Sequence, residues 1–237
     1  MMNQLDLHNL STDIKHKGSD LLAKTNKIFY SLFFIFFIAY VSTLNYRPYP
    51  LSYLVKIIPI FSLTAVAYFN IEVKKRKFIV AALLFSAAGD FFLALSGKGY
   101  FIYGLSCFAF AHIMYISAFM RRVELYTQRS LLILPFLLYG IFIGYFLFPR
   151  VGGLLIPVSI YFCLLFMMGI STILGKENHY IMIPGAFLFI VSDSIIAINT
   201  FINKVPNSSF WIMITYFPAQ LLLIYGASKK YLKSSIK

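Results

Sequence analysis

The stretch IVAALLFSAAGDFFLALSG, residues 79–97, decides the fold. It is long and apolar enough to cross about 30 Å of hydrocarbon as a helix, and it holds a single charged residue, Asp90. A second stretch, IPGAFLFIVSDSIIAIN at residues 183–199, repeats the arrangement around Asp193. A carboxylate in hydrocarbon is costly unless it is paired, solvated or protonated, so intramembrane acids mark functional sites. The chain has eight acidic residues; the other six, Asp6, Asp13, Asp20, Glu72, Glu124 and Glu177, fall in predicted tails or loops.

Working outward, the whole chain follows the same pattern. Its 237 residues are 60% hydrophobic and 12% charged, and the charges cluster between long apolar runs. A soluble domain of this size does not bury that much apolar surface. The runs are continuous rather than alternating, which argues against an outer-membrane barrel. They lie at about 28–44, 51–69, 78–97, 100–120, 130–148, 153–174, 180–202 and 209–228. These predict an all-α, polytopic bundle of eight transmembrane helices forming one domain over residues 28–228. A polar tail over 1–27 precedes it and a basic tail over 229–237 follows. Pro48, Pro50, Pro149 and Pro206 mark ends; Pro59, Pro135, Pro157, Pro184 and Pro218 fall within spans. The first 26 residues lack the apolar core of a signal peptide. Their leucines suit either a weak interfacial helix or a disordered tail. Cys107 and Cys163 both lie in spans and imply no disulfide framework.

The net charge of +13 is explained by topology rather than by nucleic acid. Eight crossings put both termini on one side. That side holds Lys15, Lys17, Lys24 and Lys27, the run Lys74, Lys75, Arg76 and Lys77, and Arg121, Arg122 and Arg129. It also holds Lys176, Lys229, Lys230, Lys233 and Lys237. The other side holds Arg47, Lys98, Arg150 and Lys204. The asymmetry predicts cytoplasmic termini, and an inner (cytoplasmic) membrane location for a bacterial source.

Inside the spans, Lys56, Asp90, His112, Asp193 and Gln220 come from five different helices. By the helix rise their depths agree within roughly 10 Å. Gly104, Phe108, His112, Tyr115 and Phe119 share one face of the fourth span. Ser86, Gly89, Asp90 and Ala94 share one in the third, and Gly185, Phe189, Ser192, Asp193 and Ala197 one in the seventh. Tyr216 and Gln220 share a face of the eighth. Small residues beside the acids permit close helix approach, so each acid is expected to point into the bundle. Each residue also has a plainer role. Lys56 can snorkel to the outer interface. His112 and Gln220 can be hydrogen-bonded core residues, and Tyr115, Tyr161 and Tyr216 are three of 17 tyrosines that fill and belt the bundle. Either acid can simply neutralise Lys56.

No GxSxG, HExxH or phosphate-loop pattern is present. Only His112 among the four histidines lies within a span, so a His-rich zinc site is unsupported. No metal or cofactor is expected.

The polar residues fall into ordered elements. VKIIPIF holds Lys56 and Pro59; FSxxGD holds Phe85, Ser86, Gly89 and Asp90; GxxxFxxAHxxY holds Gly104, Phe108, Ala111, His112 and Tyr115. PVxxY holds Pro157, Val158 and Tyr161; GAxxFxxSDS holds Gly185, Ala186, Phe189, Ser192, Asp193 and Ser194; the last element holds Tyr216, Gln220 and Gly226. In this order over residues 50–228 the chain resembles the YhhN-like family of polytopic membrane proteins, whose animal members are lysoplasmalogenases. The resemblance implies hydrolysis of the vinyl-ether bond of a lysoplasmalogen or related lysophospholipid. The products would be a fatty aldehyde and glycerophospho-ethanolamine or -choline, with membrane lipid as the surroundings and no nucleic acid as partner.

Vinyl-ether hydrolysis suits two carboxyl groups. A carbon must be protonated first, which gives an oxocarbenium ion; water then attacks and the hemiacetal collapses. One carboxyl serves as acid; the other stabilises the cation and activates water, as in glycosidases. Lys56 lies nearer in sequence to Asp90, which favours Asp90 as the charged partner and Asp193 as the acid. Lys56, His112, Tyr115, Tyr161, Ser192, Tyr216 and Gln220 would position substrate, water and the acids. The alternative functions are a proton-coupled membrane transporter using the same acids and a structural membrane protein with buried ion pairs.

Overall fold

The computed structural model describes residues 4–47, 49–95, 99–125 and 128–235, with side-chain surroundings for Gly18 and from Asp20 to Lys229 within those ranges. Pro48, Lys98 and Lys237, named above as a boundary and as loop and tail charges, lie outside the described residues. So do the side chains before Gly18 and those of Lys230 and Lys233.

Among the described residues eight long helices account for the fold: α1 (Gln4–Ser42), α2 (Ser52–Asn70), α3 (Val73–Ala94), α4 (Tyr100–Phe119), α5 (Ile133–Leu147), α6 (Leu155–Leu174), α7 (Met182–Ala197) and α8 (Ser208–Ser235). Each contains or extends into a segment long and apolar enough to cross a membrane. The protein is an integral multi-pass membrane protein. Among the described residues there is no strand beyond one isolated bridge, Val123 with Gly175. The predicted N-terminal tail is helical from Gln4 and continues without a break into the first span. Helix α8 likewise runs past Lys229 to Ser235.

Three of the five prolines expected within spans sit at the third residue of a helix: Pro135 in α5, Pro157 in α6 and Pro184 in α7. There the missing N–H is one the helix leaves unpaired anyway, so no kink is required. Pro59 and Pro218 lie inside α2 and α8.

Short loops place consecutive helices antiparallel. α3 packs on α4, α7 on α8, α1 on α2 and α2 on α3, while α4 also meets α6 and α2 meets α8. Glycines set the closest approaches. A Cβ at Gly89 would stand 2.6 Å from the Phe108 ring, and one at Gly104 would stand 2.7 Å from Leu93. Gly185 does the same for α7 and α8, where an added Cβ would lie 2.9 Å from Leu222. Phe33, Tyr40, Leu63, Leu83, Tyr115, Phe189 and Phe217 fill the space between helices and are almost wholly enclosed. Helix α5 turns Leu134, Ile141, Phe142 and Tyr145 outward, as a lipid-facing helix does.

Eight crossings give the bundle two faces, one bearing both termini and a far face. On the termini face Glu177, in the loop after α6, stands 3.1 Å from Lys75 in the first turn of α3 and 3.3 Å from Arg122 in the loop after α4. On the far face α1 ends, α2 begins, α7 ends in a π-helical turn over Ile198–Ile202, and α8 begins.

Candidate active site

Asp90 lies in the final turns of α3, buried against α2 and α8. Lys56, in the second turn of α2, brings its Nζ to 2.8 Å from Asp90 Oδ1 and donates at 3.4 Å to the Asp90 carbonyl. The outward snorkel is therefore not taken: the ammonium is turned into the bundle. Tyr216 donates its hydroxyl to Asp90 Oδ2 at 2.7 Å. Gln220, one turn further along α8, donates to the Tyr216 oxygen at 3.3 Å and accepts the Tyr115 hydroxyl proton at 2.6 Å. Side chains of α2 and α8 thus meet the α3 carboxylate directly, and α4 joins the network through Tyr115 and Gln220. Buried charges need this many partners, since pairing alone seldom offsets their lost hydration.

Asp193 sits on α7 with a different set of neighbours. Tyr161 of α6 donates its hydroxyl to Asp193 Oδ2. His112 of α4 places Nε2 3.2 Å from the Tyr161 oxygen and 3.9 Å from Asp193 Oδ2. With the phenol proton directed at the carboxyl, the phenol oxygen accepts from Nε2–H, which places a proton on that nitrogen. Nδ1 is buried without a partner among the described residues. Asp90 therefore faces an ammonium, whereas Asp193 faces a phenol and an imidazole.

Both carboxyl side chains line one cavity of about 260 Å³, together with Lys56, Tyr216, Ser192 and Arg47. An apolar pocket of about 50 Å³ adjoins it, lined by Leu105, Leu147, Val158, Phe162 and Tyr161. The two share Asp193, Leu93, Phe101, Phe108 and Ile196 in their walls. Phe108, Phe189 and Tyr216 meet edge to face behind the acids, with ring centroids 5.4–6.3 Å apart. A polar chamber and a small apolar slot thus meet at Asp193.

The residues singled out in sequence stand in these two networks, with one exception. Ser192 lines the cavity, but its hydroxyl bonds the Ile212 carbonyl at 3.4 Å rather than either acid. Among the described residues no group of three His, Cys, Asp or Glu side chains is placed to hold a metal ion. Four polar residues of the chamber were not anticipated: Tyr40, Arg47, Thr200 and Ser209. Arg47 reads in sequence only as a loop charge and Tyr40 as one tyrosine among 17. Thr200 and Ser209 have no charge to draw notice.

The model of the YhhN family matches residues 51–227. Lysoplasmalogenase TMEM86A of Bos taurus is 32% identical over 231 residues, covering 91% of each chain. Its Homo sapiens counterpart is 31% identical with the same coverage. A lysoplasmalogenase of Mycobacterium bovis is 29% identical over 159 residues, 65% of this chain and 61% of its own. No solved structure matches the chain significantly. The family match spans α2 to α8, which carry all nine residues singled out above, and the chain belongs to the YhhN family.

Proposed function

We propose that the protein is a membrane-embedded hydrolase that cleaves the vinyl-ether bond of lysoplasmalogens, releasing a fatty aldehyde and a glycerophospho-ethanolamine or -choline. One observation carries this most: Asp90 and Asp193 line a single chamber that adjoins an apolar slot, and the two acids have unlike partners. The relatives of similar length bear the name lysoplasmalogenase, which supports the same substrate class.

In the proposed sequence the first carbons of the alkenyl chain sit against the apolar slot and the glycerol lies in the polar chamber. Asp193, oriented by Tyr161 and His112, gives its proton to the outer carbon of the vinyl ether. The resulting oxocarbenium ion is stabilised by the Asp90 carboxylate, which Lys56 and Tyr216 hold in place. Water adds to the carbon bearing oxygen and passes a proton to Asp90. The hemiacetal hydroxyl then returns a proton to Asp193, Asp90 protonates the departing glycerol oxygen, and both carboxyls regain their starting states. One water is consumed and its oxygen leaves in the aldehyde.

The test is aldehyde release by the purified full-length protein from a defined 1-alkenyl lysophospholipid, with the 1-acyl analogue as control. Stoichiometric aldehyde from the first compound alone is expected. No aldehyde, together with proton flux in reconstituted vesicles, would replace the hydrolase with a transporter. We further propose cytoplasmic termini, which put the mouth of the chamber on the opposite side of the membrane.

A further inference from the structure

The chamber has a cationic side that the carboxyl chemistry leaves unused. Arg47 follows the short turn after α1 and lines the chamber with Lys56, Thr200 and Ser209. Its Nε is buried and has no hydrogen-bond partner among the described residues. Its guanidinium carbon stands 5.4 Å from the centre of the Tyr40 ring, which holds the group in position without neutralising it. Among the described residues no carboxylate forms an ion pair with it. Lys56, by contrast, is matched by Asp90. With Asp193 carrying its proton, as the proposed reaction requires, the chamber holds one positive charge in excess.

A guanidinium with no carboxylate partner, lining a polar chamber, offers a binding site for an anion. Its planar fork fits the two oxygens of a phosphate better than any other common anion except a carboxylate. Position agrees with this. Arg47, Thr200 and Ser209 stand at the far-face ends of α1, α7 and α8, whereas Asp90 lies four residues before the end of α3. By the helix rise the acid sits roughly 6 Å below that end, a depth comparable with the span of a glycerol backbone.

We infer that Arg47 binds the phosphate of the lysolipid, so that the head group is recognised by its phosphodiester charge and not by its amine. The inference rests on the hydrolase proposal above and adds the anion site to it. Ethanolamine and choline substrates are then accepted alike, and the vinyl ether is fixed at the carboxyls by the anchored phosphate.

The experiment uses the full-length protein and two compounds with the same alkenyl chain, a 1-alkenyl glycerophosphocholine and the corresponding phosphate-free 1-alkenyl glycerol. The ratio of their kcat/KM values is measured for the wild type, Arg47→Gln and Arg47→Lys. The wild-type ratio favours the phospholipid, and Arg47→Gln lowers it by about tenfold or more, chiefly through KM. Arg47→Lys lowers it less, because the charge stays while the fork is lost. The ratio is indifferent to how much of a variant preparation is folded. An unchanged ratio in both variants would overturn the site. Inhibition of the wild type by millimolar inorganic phosphate, with the ratio unmoved by Arg47→Gln, would assign a free-anion site and overturn the lipid role. Absence of aldehyde from either compound with the wild type is a separate result, which removes the hydrolase itself.

Discussion

Lys56 Nζ and Asp90 Oδ1 stand 2.8 Å apart, and both side chains are more than nine-tenths enclosed. Neither charge is tolerable there alone. Lys56→Met is expected to lower stability by about 3–5 kcal/mol, because it strands a carboxylate. The double variant Lys56→Met with Asp90→Asn should recover most of that loss while remaining inactive. Unfolding in detergent and aldehyde release check the two halves separately. A double variant as unstable as the single one would contradict the pairing.

Tyr161 bridges His112 and Asp193, so these residues should act as a unit. Tyr161→Phe and His112→Gln are each expected to lower kcat by about 10- to 100-fold. Together they should cost less than the product of the single effects, with a coupling of about 0.5–3 kcal/mol in a double-mutant cycle. Strict additivity would show that the imidazole acts independently of the phenol.

The close approach of α3 and α4 is set by Gly89, where an added Cβ would lie 2.6 Å from the Phe108 ring. Gly89→Ala is expected to destabilise by about 1–3 kcal/mol and to displace Asp90, its neighbour in sequence, from Tyr216. Gly18, with nothing within 4 Å of its added Cβ, is the control: Gly18→Ala should leave the melting temperature unchanged or raise it. Equal effects at the two positions would contradict this packing.

Much of this architecture was legible in the chain. Asp90, His112, Asp193 and Gln220 could be set at one depth by counting along their helices, because an apolar span fixes depth through its length. Their faces followed from the small residues beside them. The partner of Lys56 was not legible: one lysine near two acids suits either, and only the packing of α2 against α3 and α8 decides for Asp90. Arg47 and Tyr40 were missed for another reason. They precede the stretch that carries the family resemblance, and a single arginine in a loop looks like any other topology charge. The unbroken helix from Gln4 was also hidden, since its first residues show no strong apolar period.

Orientation has its own test. A C-terminal reporter that is active only in the cytoplasm should be active, and one fused in the loop after Asn203 should be silent. The reverse pattern would open the chamber to the cytoplasm.

The mechanism also predicts where the oxygen of water goes. Hydrolysis in ¹⁸O-water should leave the glycerophospho product unlabelled, because water attacks the vinyl carbon and the glycerol oxygen departs with its original atom. Label in the glycerol hydroxyl would mean cleavage on the other side of the ether and would exclude an oxocarbenium route.

The shared chamber makes its sharpest claim about the two carboxyls themselves. Aldehyde release from a defined 1-alkenyl lysophospholipid is measured for Asp90→Asn and Asp193→Asn at equal amounts of monodisperse protein. Each substitution should lower kcat by about 10²–10⁴-fold. Turnover near the wild-type rate in either variant would show that the two acids do not share the chemistry.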